Sequence, residues 1–334
     1  MKWINAHEHL ESRAQLAILQ SAMDQTGIER AVLLGSSAFT ITLDPRRGFE
    51  RYDENNREIL QIARNQPGRF EAWPTLNPSD PDSLSKCICY HEQGAKGLKF
   101  YTGHGFIAPG ASKYFFSQRA IDDPSMDSVY SYCSSNRLPV CLHVNPGREK
   151  PGFAHEFVTL LGRYPGLIVN APHWILSSGS PKRLIELLRS FPNLVTDISF
   201  GHDSTLIDGL RRVSRNAATL RELVKNHPQR FLFGTDCVVT SAPKKTSTWM
   251  RLRIESYKLM LICETYETEL LPGESLQGLA LPGEVIKGIA YQNCERLGEP
   301  RVPTIPTSPL DWNLMGVAQL QRPIGKRLPP PNSS

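Results

Sequence analysis

The sequence predicts an α/β fold: a (β/α)8 TIM-like barrel over residues 1–299, followed by an extended, proline-rich tail over 300–334. Three observations carry this. Eight short apolar runs alternate with helix-length segments, the pattern of a parallel sheet closed on itself. Four of those runs stop on a histidine or an aspartate, as expected where reactive groups gather at strand carboxyl ends. An open doubly wound sheet would place a glycine-rich phosphate turn after an early strand, and no Gly-x-Gly-x-x-Gly occurs.

The first strand is Trp3-Ile4-Asn5-Ala6-His7-Glu8-His9. Alternation along a strand puts His7 and His9 on one face and turns Glu8 away. A helix over Glu11 to Gln25 has apolar positions Leu16, Ile18, Leu19, Ala22 and Met23, and Gly27 closes it. Ala31-Val32-Leu33-Leu34 is the second strand, apolar throughout and so of the kind buried on both faces. The polar loop from Gly35 to Tyr52 is a candidate pocket wall. A helix from Asp53 to Asn65 leads to the third strand at Arg69 to Trp73, and one over Asp80 to Gln93 leads to the fourth at Ala95 to Tyr101. Pro124 to Asn136 is helical and precedes Leu138-Pro139-Val140-Cys141-Leu142-His143. The helix from His155 to Arg163 precedes Leu167 to His173, and the helix from Pro181 to Ser190 precedes Asn193 to Ser199. An arginine-rich helical stretch, Leu210 to Lys225, feeds Phe231-Leu232-Phe233-Gly234-Thr235-Asp236. Thr246 to Tyr266 reads as a further helix, and Gly283 to Leu297 as a terminal one that closes the barrel's outer layer. In the tail, Trp312, Leu314 and Met315 are candidates to pin it to the body or to a second subunit of a homo-oligomer.

Composition bounds the function. With 334 residues and 40% hydrophobic content the chain can fill one large core. No apolar run approaches the ~20 residues that span a bilayer, and Lys2 followed at once by a strand leaves no room for a signal peptide. Seven scattered cysteines without a Cys-x-x-Cys pair point to reduced thiols in a cytoplasm-like compartment. The net charge of +5 comes largely from a tail bearing Arg301, Arg322, Lys326 and Arg327 against Asp311, and a second basic cluster is Lys244, Lys245, Arg251 and Arg253. Neither cluster has the interleaved aromatics of a nucleic-acid module, so solvated surface is expected. The second cluster, following a site strand, is also placed to meet an anionic substrate.

Zinc and related ions take three or four N/O ligands and leave a position for water, whose pKa falls toward neutrality. His7, His9, His143 and Asp236 supply such a set. His173, from the neighbouring strand, could orient or deprotonate the water, or protonate a leaving group, and Asp236 could serve as both ligand and base. Lys99, Tyr101, His104, Arg148, Trp174 and His202 are candidate substrate-binding residues at or beyond strand ends, although ordinary loop roles explain the last five equally well. His91, His155 and His227 are expected at the surface.

The segments Ile4 to His9, Gly94 to Lys99, Leu138 to His143, His227 to Asp236 and Tyr291 to Leu297 together resemble the amidohydrolase superfamily. They are most similar to its amidohydrolase-2 branch, which includes decarboxylases of the aminocarboxymuconate-semialdehyde type and lactonases. The resemblance runs from residue 3 to about 297 and excludes the tail. It implies a distorted barrel holding one divalent ion, often zinc, on His7, His9, His143 and Asp236, with His173 acting on water or substrate. Asn5 stands where the family often has Asp. The resemblance leaves two states for Lys99: carboxylated and bridging two metals, or a free amine that binds a substrate carboxylate. The expected activity is metal-dependent hydrolysis of a C–N or C–O bond in a small carboxylated molecule. The alternatives are non-oxidative decarboxylation on the same site, or a barrel that binds ligands without catalysis. No nucleic-acid or membrane partner is expected.

Overall fold

The computed structural model of the chain describes residues 1–36, 48–103, 119–144, 153–176, 180–201 and 203–299. Its first strand, Ile4–Leu10 (β1), is buried at every position. The strands Arg30–Leu34 (β2), Phe70–Trp73 (β3), Leu98–Gly103 (β4), Val140–Val144 (β5), Val169–Asn170 (β6), Leu194–Asp197 (β7), Phe231–Leu232 (β8) and Cys237–Val239 (β9) follow in alternation with helices. They form two parallel arcs, ordered β3-β2-β1-β9 and β4-β5-β6-β7-β8. Apolar runs such as Ala31-Val32-Leu33-Leu34 suit this arrangement because both of their faces are covered.

Backbone hydrogen bonds close the arcs into a barrel. On one side Lys96 N–H donates to Ala72 O at 3.1 Å and Lys99 N–H to Pro74 O at 2.8 Å. On the other, Ala6 N–H donates to Phe233 O at 2.7 Å and Asp236 N–H to His7 O at 2.8 Å. Residues 231–239 are therefore one barrel strand in two halves, with β8 paired to β7 and β9 paired to β1. The eight strands read from the sequence are all present. Inside the barrel Ile4, Ala6, Val32, Leu34, Trp73, Cys141, Val195 and Leu232 form one apolar cluster, and a larger cluster fills the layer between strands and helices.

Three elements differ from the sequence reading. The stretch 210–225 is part of two helices, Asp203–Arg215 and Ala217–Asn226, separated at Asn216. The Asn216 amide donates to Arg212 O at 2.8 Å, a local bond of the kind that ends helices. The helix expected to reach Tyr266 stops at Ile262 because Cys263 is extended (φ −86°, ψ 152°), and Thr265–Tyr266 instead pairs antiparallel with Leu276–Gln277. The terminal segment, Gly283–Lys287 continued through a wider turn at Gly288–Gln292, crosses the barrel's base rather than joining its outer layer. There Phe233 N–H donates to Ile289 O, the Asn293 amide donates to Pro228 O and Phe231 O, and Cys294 and Leu297 enter the interior cluster. All seven cysteines are unbridged. No helix among the described residues is long and apolar enough to cross a membrane. The tail, 300–334, lies outside the described residues.

Gly97 leads into β4 where the Trp73 ring lies directly against it, and a Cβ there would stand 2.4 Å from the ring. Gly97→Ala should destabilise the fold by about 1–3 kcal/mol, the usual range for overpacking. The check is thermal unfolding; an unchanged midpoint would contradict this placement of Trp73.

Candidate metal centre

The parallel pairing of β1 with β2 shifts register between Asn5 and Glu8; His7 lies within that shift and His9 just past it. His7 Nε2 and His9 Nε2 lie 3.2 Å apart. Asp236 Oδ1 lies 3.3 Å from the first and 3.4 Å from the second. Among the described residues these three are the group whose ligand atoms all lie within 4.8 Å of one another. Bonds of ~2.0–2.1 Å in a tetrahedral site put ligand atoms about 3.3 Å apart, so the triangle fits a zinc-sized ion.

The outer nitrogens are fixed so that the inner ones present lone pairs. His7 Nδ1–H donates to Asp197 Oδ2 at 2.8 Å, and His9 Nδ1–H donates to Leu34 O at 3.0 Å, with Ser36 Oγ 2.7 Å away. Burial, reinforced by His7 and Lys99, outweighs Asp236 and holds the His9 pKa down to about 3, so the ring is neutral near pH 7. Burial alone would raise the Asp236 carboxyl, but His7, His173 and His9 together hold it below its ordinary value.

Asp236 reaches the centre because the strand breaks around it. Its own φ is +49°. Gly234 lets the chain pass where a Cβ would stand 2.9 Å from the Asp197 side chain and 3.0 Å from that of His7. Gly201, at φ +69°, forms the opposite wall, and a Cβ there would meet Asp236 Oδ2 at 3.0 Å.

His173 begins a left-handed turn in which four consecutive L residues, His173, Trp174, Ile175 and Leu176, have φ between 64° and 50°. Each such residue costs roughly 1–2 kcal/mol, and the turn persists because β7 and the residues after it take its donors. His173 N–H donates to Asp197 Oδ1, Ile175 N–H to Thr196 Oγ1 and the Trp174 indole to Ile198 O, at 3.2, 3.1 and 3.0 Å. The Ser199 hydroxyl donates to Asp197 Oδ1 and therefore accepts from His173 Nδ1–H at 2.8 Å. That leaves His173 Nε2 facing Asp236 Oδ2 at 3.6 Å. Burial holds the His173 pKa below its ordinary value.

The other residues singled out in the sequence fall in different places. His143 is outside the three-ligand group, its ring edge-on to His173 at 5.1 Å between centroids. Lys99 is fully buried, with Nζ–H donating to Cys141 Sγ at 3.4 Å and lying over the Tyr101 ring. Tyr101 is buried beside Ser36, 3.3 Å from its hydroxyl, and so stands behind His9. Trp174 corrects the reading that put it on the pocket. The left-handed turn carries its indole into the outer layer, where it is fully buried against Phe231. His104, Arg148 and His202 lie outside the described residues. Glu8 does turn away, buried against Asn5 and Thr235 and held well above the usual carboxyl range by burial.

Sequence reasoning missed Asp197 and Ser199. Asp197 closes an apolar strand as Asp236 does, and that was the available signal. Burial alone would raise its pKa, but His7 and His173 hold it far below the usual range.

A family model described as amidohydrolase matches residues 4–297. Among solved structures the chain is similar to an uncharacterised TIM-barrel protein from Bordetella bronchiseptica, at 15% identity over 89% of this chain and 98% of that one, TM-score 0.60. It is also similar to 5-carboxyvanillate decarboxylase from Sphingomonas paucimobilis, at 13% over 90% and 99%, TM-score 0.56. A third is a probable 2-pyrone-4,6-dicarboxylic acid hydrolase from Acinetobacter baumannii, at 14% over 89% and 99%, TM-score 0.57. At these identities the likeness is one of fold. No curated protein matches the chain.

Asp197→Asn should weaken metal affinity about 10–100-fold, as loss of a ligand's orienting carboxylate does, measured by competition with a chelating dye. Unchanged affinity would remove Asp197 from the centre's support. The metal-free protein should also lose stability as pH falls from about 6.5 toward 3. The unfolded chain then binds protons that buried His9 refuses, at about 1.4 kcal/mol per pH unit for this group. Denaturant midpoints at stepped pH give the slope, and a flat profile would contradict the buried neutral ring.

Proposed function

The chain belongs to the amidohydrolase family, in its amidohydrolase-2 branch, and from that premise we propose that it is a metal-dependent hydrolase cleaving a C–N or C–O bond of a small carboxylated molecule. The observation that carries this is the division of labour within Asp236. One oxygen faces the two imidazoles and the other faces His173.

A bound divalent ion, zinc in this reading, would supply Lewis acidity and lower the pKa of water toward neutrality. His7, His9 and Asp236 would hold it, and His143 from β5 would be the fourth ligand that this reading adds. Asp236 Oδ2 is the base, positioned to take a proton while Oδ1 stays on the ligand side. Burial holds the His173 ring neutral and the Nδ1–H bond to Ser199 selects the tautomer with Nε2 bare, so that Nε2 can relay that proton to the leaving group. Lys99 is the substrate's counter-ion. Its ammonium is fully buried and has no ion pair among the described residues, a costly state that a substrate carboxylate relieves. In this reading Lys99 is a free amine, in contact with Cys141 Sγ and over the Tyr101 ring.

Carbon dioxide release from an aromatic acid is the second reading. It is favoured by the similarity to 5-carboxyvanillate decarboxylase and by the same buried Lys99. Assay of lactones, amides and aromatic carboxylates, with carbon dioxide measured separately, separates the two. Turnover of a lactone or amide without gas release supports hydrolysis, and gas release from an acid with no hydrolysis replaces it.

His173→Ala should lower kcat about 10²–10⁴-fold with metal retained, whereas His143→Ala should lower metal content and activity together. Metal loss in His173→Ala, or full metal in His143→Ala, would reverse those roles.

A further inference from the structure

Arg253 belongs by sequence to a basic cluster expected at the surface, yet it is 2% exposed and among the largest fully buried side chains. It lies on the helix Ser247–Ile262, where Trp249, Arg253 and Tyr257, each four residues from the next, share one face. That face meets the chain just past β7. The Arg253 guanidinium donates through one terminal nitrogen to Asp203 Oδ1 and through the other to Gly201 O. The Trp249 indole N–H donates to the same Asp203 oxygen at 3.1 Å, and the guanidinium lies over the Trp249 ring, 4.6 Å from its centroid. Tyr257 Oη accepts from Phe200 N–H at 2.7 Å, and its ring stacks on that of Phe200. Three side chains of one helix thus grip Phe200, Gly201 and Asp203.

Stability does not account for an arginine here. A buried ion pair is commonly no more stabilising than apolar side chains of similar volume, and Asp203 keeps partners in Lys244 and Trp249 without it. The guanidinium supplies a planar fork that reaches a carbonyl and a carboxylate two residues apart at once, which the single point charge of a lysine does not. The carbonyl it holds belongs to Gly201, whose α-carbon packs against Asp236 Oδ2. A Cβ there would stand 3.0 Å from that oxygen and 3.8 Å from His173 Cε1. We infer that Arg253 is a positioning residue for the metal centre: it fixes Gly201 as the wall that keeps the Asp236 carboxylate turned with Oδ1 toward the imidazoles and Oδ2 toward His173. The inference rests on the metal-centre reading above, and Arg253 reaches the centre only through Gly201.

Two measurements on the full chain test it, and neither needs a substrate. Zinc affinity, by competition with a chelating dye, should fall about tenfold in Arg253→Met, the low end of the ~10–100-fold that loss of a ligand's supporting partner costs. Arg253→Lys should recover part of that loss. Hydrogen exchange of the metal-free protein, followed by mass spectrometry, should speed up in the peptide spanning residues 199–203 and stay unchanged in the one spanning Ile4–Leu10. An arginine that only stabilised the fold would raise exchange throughout the barrel. Tyr257→Phe keeps the ring and removes the hydroxyl that takes the Phe200 N–H, so it should loosen the same segment and keeps the test open if Arg253→Met fails to fold. The inference is overturned by wild-type zinc affinity in both Arg253→Met and Tyr257→Phe, or by exchange that is unchanged at 199–203 or raised uniformly. A wild-type chain that takes up no zinc would sink the metal centre and this inference with it, whereas zinc held equally well by wild type and variants sinks the inference alone.

Discussion

The metal centre depends on one buried carboxylate. Asp197 binds His7 Nδ1–H through one oxygen, and through the other takes the Ser199 hydroxyl and the His173 backbone N–H. Two histidines are thereby aimed from one point: His7 with Nε2 toward His9 and Asp236, His173 with Nε2 toward Asp236. A charge this deep is tolerated because every neighbour donates to it. The same carboxylate is one of the partners that hold four L residues in a left-handed turn, so the site's geometry is bound to the cost of that backbone.

Much of this was legible in the sequence, and the physical reason is the period of a strand. His7 and His9 are two residues apart and so share a face, and Asp236 ends an apolar run, so the grouping of these three side chains follows from alternation and from the rule that strand ends gather. The roles of Asp197 and Ser199 were not legible, because a buried aspartate at a strand end reads alike whether it ligates or orients. Trp174 was misplaced for a different reason. Its position just after a strand end suggested the pocket, but four positive φ values in succession turn it into the outer layer, and no residue there is a glycine that would announce them. Among the helices, the break at Asn216 and the early stop at Cys263 come from local polar bonding and hairpin pairing, which apolar periodicity does not encode.

The two ends of the barrel are built on opposite principles. At the carboxyl end the strands deliver titratable groups into contact, and glycines at 201 and 234 clear the space they need. At the amino end the chain's own last described segment seals the interior through Phe233, Asn293, Cys294 and Leu297, leaving a cavity at the seam between that segment and the starts of β2, β4 and β5. Trp73 belongs to the barrel interior and also lines that cavity.

Convergence of His7, His9 and Asp236 on a single cation is the claim that all the proposed chemistry requires. Elemental analysis of the purified full chain, after equilibration with zinc and removal of excess, measures it directly. About one equivalent of divalent metal is expected, as for a mononuclear N/O site. Protein that emerges folded and holds no metal would contradict the account.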